Sequence, residues 1–424
     1  MEKITFKGLG ACREVGRSSF LIDAGEKFLF DRGIKLTNDK PEYPLDIGTN
    51  VDAVIISHAH LDHSGALPEL FLESNFVTYM TPPTLDISRL LWYDTIKIAE
   101  YEKIPPLFTK DAIKKVDQFV MPTTYRRNLE ITKNATLELF DAGHIPGSAL
   151  SKLTLKEKSI LYTGDFQPIE TRLFNAADLN VGEIDTLIIE STYGDRDHPP
   201  REMVEKTFVE EVKDGLENGG WVMIPAFAVS RCQELIDILY EYKIDAPIYF
   251  DGMGQKASRI FLEHSSYLKN NGATLRKALE KVNWVDKPFK RKKALKEPCV
   301  IVSSAGMLQG GPMLHYLKHL SDNPKNKLLL TGYQVEGTPG RILMDTGKIE
   351  IDNNNYKVKA QLRKFDFSAH ASQTNMIDTI KKWSPEKILL VHGGEDAMTV
   401  FKDKIEQETG IKAQMPELGK TIEI

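Results

Sequence analysis

Residues 57–63 read Ser57-His58-Ala59-His60-Leu61-Asp62-His63, and a short β-branched run, Val51-Asp52-Ala53-Val54-Ile55-Ile56, leads into them. Such a run reads as a buried strand. A strand that ends in imidazoles and a carboxylate delivers them from a rigid base, and both groups are ligands for zinc and related divalent metals. In extended backbone His58 and His60 point the same way, while Asp62 and His63 lie past a bend. That geometry suits two adjacent metals. The plainer reading is a polar loop with satisfied histidines. Only ten histidines occur in 424 residues, and three of them fall within six positions beside an aspartate, which weighs against it.

Three further positions fit the cluster, each at the end of a strand-like run and beside a glycine. They are His144 in Asp141-Ala142-Gly143-His144, Asp165 in Tyr162-Thr163-Gly164-Asp165, and His392 after Ile388-Leu389-Leu390-Val391. Counting ligands gives His58, His60 and His144 for one metal and Asp62, His63 and His392 for the other, with Asp165 bridging. A bridging carboxylate that leaves each metal open to substrate is what a two-metal hydrolase needs.

Strands are expected at 2–9, 17–23, 26–31, 52–57, 135–140, 149–155, 158–163 and 186–190, with helices at 84–103 and 110–118. From about residue 201 the pattern becomes regular helix–strand alternation. Helices at 201–218, 230–242, 254–265 and 274–281 interleave with strands at 221–225, 247–250, 299–302 and 327–330, the signature of a parallel sheet. That block, 195–356, reads as a separate α/β domain inserted between 1–194 and 357–424.

The chain carries a net charge of −5, which argues against a protein that coats polyanions indiscriminately. Lys287-Pro288-Phe289-Lys290-Arg291-Lys292-Lys293-Ala294-Leu295-Lys296 is a local exception, read as a basic loop able to hold phosphates or simply as a solvated surface. Three scattered cysteines, Cys12, Cys232 and Cys299, suggest reduced thiols. A strand-like start leaves no room for a signal peptide, and no apolar run is long enough to span a membrane. The cytoplasm is the expected compartment.

Asp31, the 58–63 cluster, His144 and Asp165 together resemble the metallo-β-lactamase superfamily, whose fold is a four-layer αβ/βα sandwich. Glu190-Ser191-Thr192-Tyr193-Gly194, Phe367-Ser368-Ala369-His370-Ala371 and Val391-His392-Gly393 resemble the further motifs of its β-CASP subgroup, nucleases with an inserted cap domain. His392 stands where DNA-processing members usually carry an apolar residue, so the resemblance favours RNA. Pro225-Ala226-Phe227-Ala228-Val229-Ser230-Arg231, Ser303-Ser304-Ala305-Gly306-Met307 and Gly332-Tyr333-Gln334-Val335-Glu336-Gly337-Thr338 look more like the endonuclease subunit of the cleavage and polyadenylation specificity factor and its prokaryotic relatives than like RNase J. KH-type RNA-binding domains, which some of those relatives carry ahead of the nuclease, are not expected here.

By that resemblance the chain takes two Zn²⁺ ions and cuts single-stranded RNA, from within or from the 5′ end, in RNA processing or decay. Partners in a processing complex are implied. His370 is the candidate general acid for the ribose leaving oxygen, Glu190 its orienting partner, and Asp62 belongs to the same catalytic set. Asp31 would orient a ligand histidine. Ser303, Ser304, Ala305 and Gly306, ending a strand ahead of a helix, are candidates to cradle a phosphate, with Arg231 and Arg341 as further contacts. RNA would lie between the two domains. His198, His264, His315 and His319 have no ligand context. Rival readings are a thioester or lactam hydrolase on the same fold, a catalytically inactive RNA-processing scaffold subunit, and a DNA nuclease.

Overall fold

A computed structural model describes residues 3–37, 40–156 and 158–424. The expected first strand therefore begins at Glu2, outside the described residues, as does Met1, where the reading of the chain start begins. The chain divides into two compact units, 1–197 with 369–424, and 198–368. The sequence division stands at 194/195 and 356/357.

The first unit is built on two seven-stranded sheets. One runs in the order Thr421–Glu423, Thr5–Gly10, Ser19–Asp23, Lys27–Phe30, Ala53–Ile55, Thr78–Met80, Val120–Pro122. The other runs Ala413–Gln414, Lys387–Val391, Thr186–Glu190, Lys158–Tyr162, Ala149–Leu155, Ala135–Asp141, Leu129–Thr132. Alternation along each strand sorts its side chains between two cores. Phe28, Phe30, Ile55, Ile188, Leu389 and Val391 pack in one cluster with residues of both sheets. Leu29 and Val54 instead pack with Trp92, Ile96, Ile113 and Val116 of the helices Pro82–Glu102 and Lys110–Phe119. Leu187, Ile189, Ile388 and Leu390 pack with Ile377, Ile380, Phe401 and Ile405 of the helices Gln373–Trp383 and Glu395–Thr409. Helix, sheet, sheet, helix is the four-layer αβ/βα sandwich.

The second unit is a six-stranded sheet in which every pairing is parallel, ordered Asn283–Val285, Ile248–Asp251, Val300–Ser303, Val222–Pro225, Lys327–Leu330, Gln361–Lys364. Gln361–Lys364 extends this sheet, which carries the unit past residue 356 to 368. The central strands Val222–Pro225, Ile248–Asp251, Val300–Ser303 and Lys327–Leu330 are buried along their whole length, as a parallel sheet covered on both faces requires.

Several short strands escaped the sequence reading, among them Thr78–Met80, Val120–Pro122 and the hairpin Lys348–Ile351 with Asn354–Lys357. Three or four residues are too few to establish a period. The basic segment is corrected from loop to helix over Pro288–Ala294. Proline suits a first helical turn, and the Lys, Arg and Ala that follow are good helix formers. Among its charges, Lys290 pairs with Asp286 at 2.8 Å and Arg291 with Asp251 at 2.7 Å. All three cysteines are buried and unpaired, and burial pushes the Cys232 thiol up to about 12. Among the described residues no helix is long and apolar enough to cross a membrane.

Candidate active site

Apart from His370, every donor of the candidate site lies at or just after the carboxyl end of a strand in the first unit. Lys27–Phe30 and Ala53–Ile55 run parallel and lead to Asp31 and to Ser57-His58. Lys158–Tyr162, Thr186–Glu190 and Lys387–Val391 are parallel neighbours that lead to Asp165, Thr192 and His392. Ala135–Asp141 ends at the same edge and leads to His144. The two sheets approach closely here, with the Ala149 amide donating to the Ser57 carbonyl at 2.9 Å. Gly164 permits the approach: a Cβ there would lie 2.7 Å from that of Ser57, at a φ of +52°.

Asp31 organises the first cluster. It is fully buried, and its carboxylate accepts from the Ser57 amide, the Ser57 hydroxyl and the Tyr162 hydroxyl, each at 2.7 Å. Its Oδ2 also lies 2.8 Å from His63 Nδ1. A carboxylate can only accept, so His63 carries its proton on Nδ1 and turns the lone pair of Nε2 inward. His144 is fixed the same way, its Nδ1 donating to the Ala369 carbonyl at 2.9 Å. Ser57 and Tyr162, given no role from sequence, complete this support. A hydroxyl at the end of an otherwise apolar strand was the available signal for Tyr162.

The donors fall into three overlapping groups: His58, His60, His144 and Asp165; Asp62, His63 and His392; and Asp165, Glu190 and His370. Within each, ligand atoms lie within 4.8 Å of one another. His60 Nδ1 is 3.2 Å from His58 Nε2 and 3.1 Å from His144 Nε2. Nitrogens at tetrahedral positions around a zinc, with bonds of about 2.0–2.1 Å, stand roughly 3.3–3.4 Å apart. Asp165 Oδ2 sits 3.5 Å from His58 Nε2 and 3.7 Å from His144 Nε2, and Oδ1 sits 3.2 Å from His63 Nε2 and 3.4 Å from His392 Nδ1. Asp62 Oδ2 is 3.3 Å from His392 Nε2. Thus each oxygen of Asp165 faces a different histidine set.

Two buried atoms test whether these donors suit a metal. His63 Nε2 and Asp165 Oδ1 have no hydrogen-bond partner among the described residues. Leaving such groups unmet costs about 1–3 kcal/mol each, more when charged, so a cation between them resolves the deficit. Protonation agrees. Burial, and then the neighbouring imidazoles, holds His58 and His144 well below the usual histidine range, the neutral form that ligates metal. Burial would raise the Asp165 carboxyl, but His63, His392 and His370 outweigh it and keep it ionised. The residues present fit a metal ion.

His370 stands at the rim, one-fifth exposed. Its Nδ1 contacts Glu190 Oε2 at 3.0 Å, and Asp165 Oδ2 is 3.9 Å away. Glu190 is itself fixed, accepting from the Phe166 amide at 2.9 Å and the Thr192 hydroxyl at 2.6 Å. Burial alone would lower the His370 pKa, but Glu190 and then Asp165 raise it to about 9. The cationic imidazole is thereby favoured, held through Nδ1 by Glu190.

The remaining candidates lie in the second unit. Ser303 ends its strand, but the helix expected to follow Gly306 begins only at Pro312, after Gly310 and Gly311. The 303–306 turn is thus a loop and not a helix N-terminus, and the Ser304 amide bonds the Asp251 carbonyl at 3.4 Å. Two consecutive glycines and a proline delay the helix. Arg231 is buried, donating to Glu234 and the Phe367 carbonyl, while Arg341 is exposed and pairs with Asp345 at 2.9 Å. His198 pairs with Asp366 at 3.4 Å, and His315 and His319 stack on one helix.

Comparison with known proteins agrees with this architecture. Residues 13–207 match the metallo-beta-lactamase superfamily, 232–343 the Beta-Casp domain, and 355–416 the Zn-dependent metallo-hydrolase RNA specificity domain. The chain is 43% identical to the "Probable RNase MJ4" of Methanocaldococcus jannaschii, over 98% of this chain and 99% of that one. It is 38% identical to "RNase aCSPSF2" of Saccharolobus solfataricus (99% and 85% covered) and 36% identical to "Transcription termination factor FttA" of Thermococcus kodakarensis (97% and 70%). A crystal structure of a protein of unknown function from Enterococcus faecalis shares the fold, with a TM-score of 0.63 at 14% identity and both chains fully covered. This chain belongs to the β-CASP family of the metallo-β-lactamase superfamily.

Proposed function

We propose that the protein is a metal-dependent ribonuclease that hydrolyses single-stranded RNA with two zinc ions. His58, His60 and His144 would hold one ion, Asp62, His63 and His392 the other, and Asp165 would bridge them. The observation that carries this reading is the division of Asp165, one oxygen toward each histidine set, with His63 Nε2 and Asp165 Oδ1 left without hydrogen bonds. Its relatives are named RNases and a termination factor, and a matched domain is described as one for RNA specificity. When bound, such a pair of ions supplies an activated water and neutralises charge on the phosphate oxygens.

The protein's own groups do the rest. Asp31 holds the tautomer of His63, and the Ala369 carbonyl holds that of His144, so neither ligand has to reorient during turnover. His370 carries a proton beside the centre. Glu190 keeps it there, fixing Nδ1 so that Nε2 delivers the proton to the departing 3′ oxygen. Products would then carry a 5′ phosphate and a 3′ hydroxyl. Ser303, Ser304, Ala305 and Gly306 would meet an RNA phosphate. The cytoplasm is the proposed compartment.

The test is a side-by-side incubation of matched RNA and DNA strands with metal-free and zinc-loaded protein. RNA cut only by the loaded form is the expected result. Equal cutting of DNA, or turnover of a thioester with no RNA cleavage, overturns the reading. A circular RNA and linear RNAs with 5′ mono- or triphosphates decide the mode. Cleavage of the circle means internal cutting, and mononucleotides from 5′-monophosphate ends alone mean exonuclease action.

A further inference from the structure

The carboxyl edge of the second unit's sheet carries aromatic surface that the chemistry above does not use. After Val222–Pro225 the chain crosses toward Ile248–Asp251, and after the neighbouring strand Lys327–Leu330 it runs in the opposite direction to Gln361–Lys364. At two adjacent strands whose connections part this way, the carboxyl edge of a parallel sheet forms a ligand crevice. Phe227 follows the first strand by two residues, Tyr333 follows Leu330 by three, and Lys364 ends Gln361–Lys364, all at this edge.

Phe227 is 37% exposed and Tyr333 is 52% exposed. Phe227 is not loosely displayed. Its ring edge lies so close to Gly332 that a Cβ there would come within 2.7 Å of Cε2, so the missing side chain makes the seat for the ring. The Gly306 carbonyl accepts from Gln334 Nε2 at 3.1 Å, which ties the 303–306 loop to the segment bearing Tyr333. Lys364 Nζ lies 5.9 Å from the Tyr333 ring centroid, a cation over an aromatic face. Residues 198–368 hold 26 Lys and Arg against 21 Asp and Glu, so this unit alone has the sign that attracts a polyanion.

We infer that Phe227 and Tyr333 form a base-stacking platform for single-stranded RNA, with Lys364 meeting the adjacent phosphate. The inference rests on the ribonuclease reading and names how that substrate is held. Rigid exposed rings beside a cation are what binds unpaired bases without regard to sequence, because every base has a π-face.

The test compares KM and kcat of the zinc-loaded enzyme and its variants on a 20-nucleotide RNA and on the same RNA carrying single abasic positions. Phe227→Ala and Tyr333→Ala should each raise KM about 5- to 150-fold, the range for losing one base stack. They should leave kcat within about threefold, since neither residue belongs to the donor set. Phe227→Trp and Tyr333→Phe should stay near wild type, and an abasic position under the platform should erase the difference between wild type and the Ala variant. Lys364→Ala should reduce the salt dependence of binding by about one phosphate contact, a slope change of about 0.7. Ala variants that melt with wild type yet keep KM within twofold overturn the platform while leaving the nuclease standing. Wild type that neither binds nor cuts RNA removes both. Should Phe227→Ala fail to fold, Tyr333→Ala, half exposed and outside the core, decides alone.

Discussion

Residues 198–368 carry 26 basic and 21 acidic side chains, whereas the other unit carries 29 and 39. The two units also place their buried charges differently. In the acidic unit, Asp165 and the carboxylates and imidazoles at four other strand ends converge, with His370 beside them, and two of the converging atoms have no hydrogen bond. In the basic unit the buried ions close on one another: Arg201 and Arg231 both donate to Glu234, and both guanidiniums lie over the Phe367 ring. Carboxylates and imidazoles turned toward one point suit a cation from outside, while guanidiniums that close on a carboxylate support the fold. Net charge agrees with the proposed role of each unit, the acidic one carrying the metal-type donors and the basic one having the sign for RNA.

The contrast is sharpest at Asp165. Asp165→Ala should lower RNA cleavage on the order of 10⁴-fold or more and reduce bound zinc below two per chain, read by metal analysis of the purified variant. Normal cleavage by that variant would show that the bridging assignment is wrong. At the rim, His370→Ala should slow cleavage about 10²- to 10⁴-fold while zinc content stays at the wild-type value. Loss of metal along with rate would instead make His370 a ligand.

Across the comparison, Glu234→Ala should leave buried Arg231 without that carboxylate and half-buried Arg201 with the more distant Glu205. It should lower stability by about 3–5 kcal/mol in urea denaturation with metal content unchanged. A silent Glu234→Ala would mean that the network of the second unit is not the structural counterpart drawn above. Asp31→Ala, which frees the His63 ring without deleting a donor, should weaken zinc retention or activity by about 10- to 100-fold, read by competition with a chelator. An effect as large as that of Asp165→Ala would place Asp31 among the donors themselves.

Much of the first unit was legible because its strands are short apolar runs that end abruptly in polar residues. The run Ile388–Val391 before His392, and Thr186–Ile189 before Glu190, show the change within one residue. Where the signal was two to four residues long, as at Thr78–Met80 or Ala413–Gln414, pairing with a neighbour and not local pattern makes the strand. The basic stretch at 287–296 was misread for a related reason. Charge draws attention to the surface, yet its Pro-initiated, Lys- and Arg-rich composition is helical, and Arg291 pairs with buried Asp251. Likewise Arg231 stood in a motif-like loop, but the fold buries it.

Residue type and spacing alone pointed to metal donors at strand ends, because histidine and aspartate clustered beside glycine after apolar runs have few other uses. The sequence could not say which nitrogen of each ring faces the centre, that Tyr162 and Ser57 join in holding Asp31, or that His63 and Asp165 each keep one atom unbonded. Those facts depend on hydrogen bonds between residues 26 to 131 positions apart, the longest joining Asp31 and Tyr162 of different sheets. Only the close approach of the two sheets brings such partners within 3 Å.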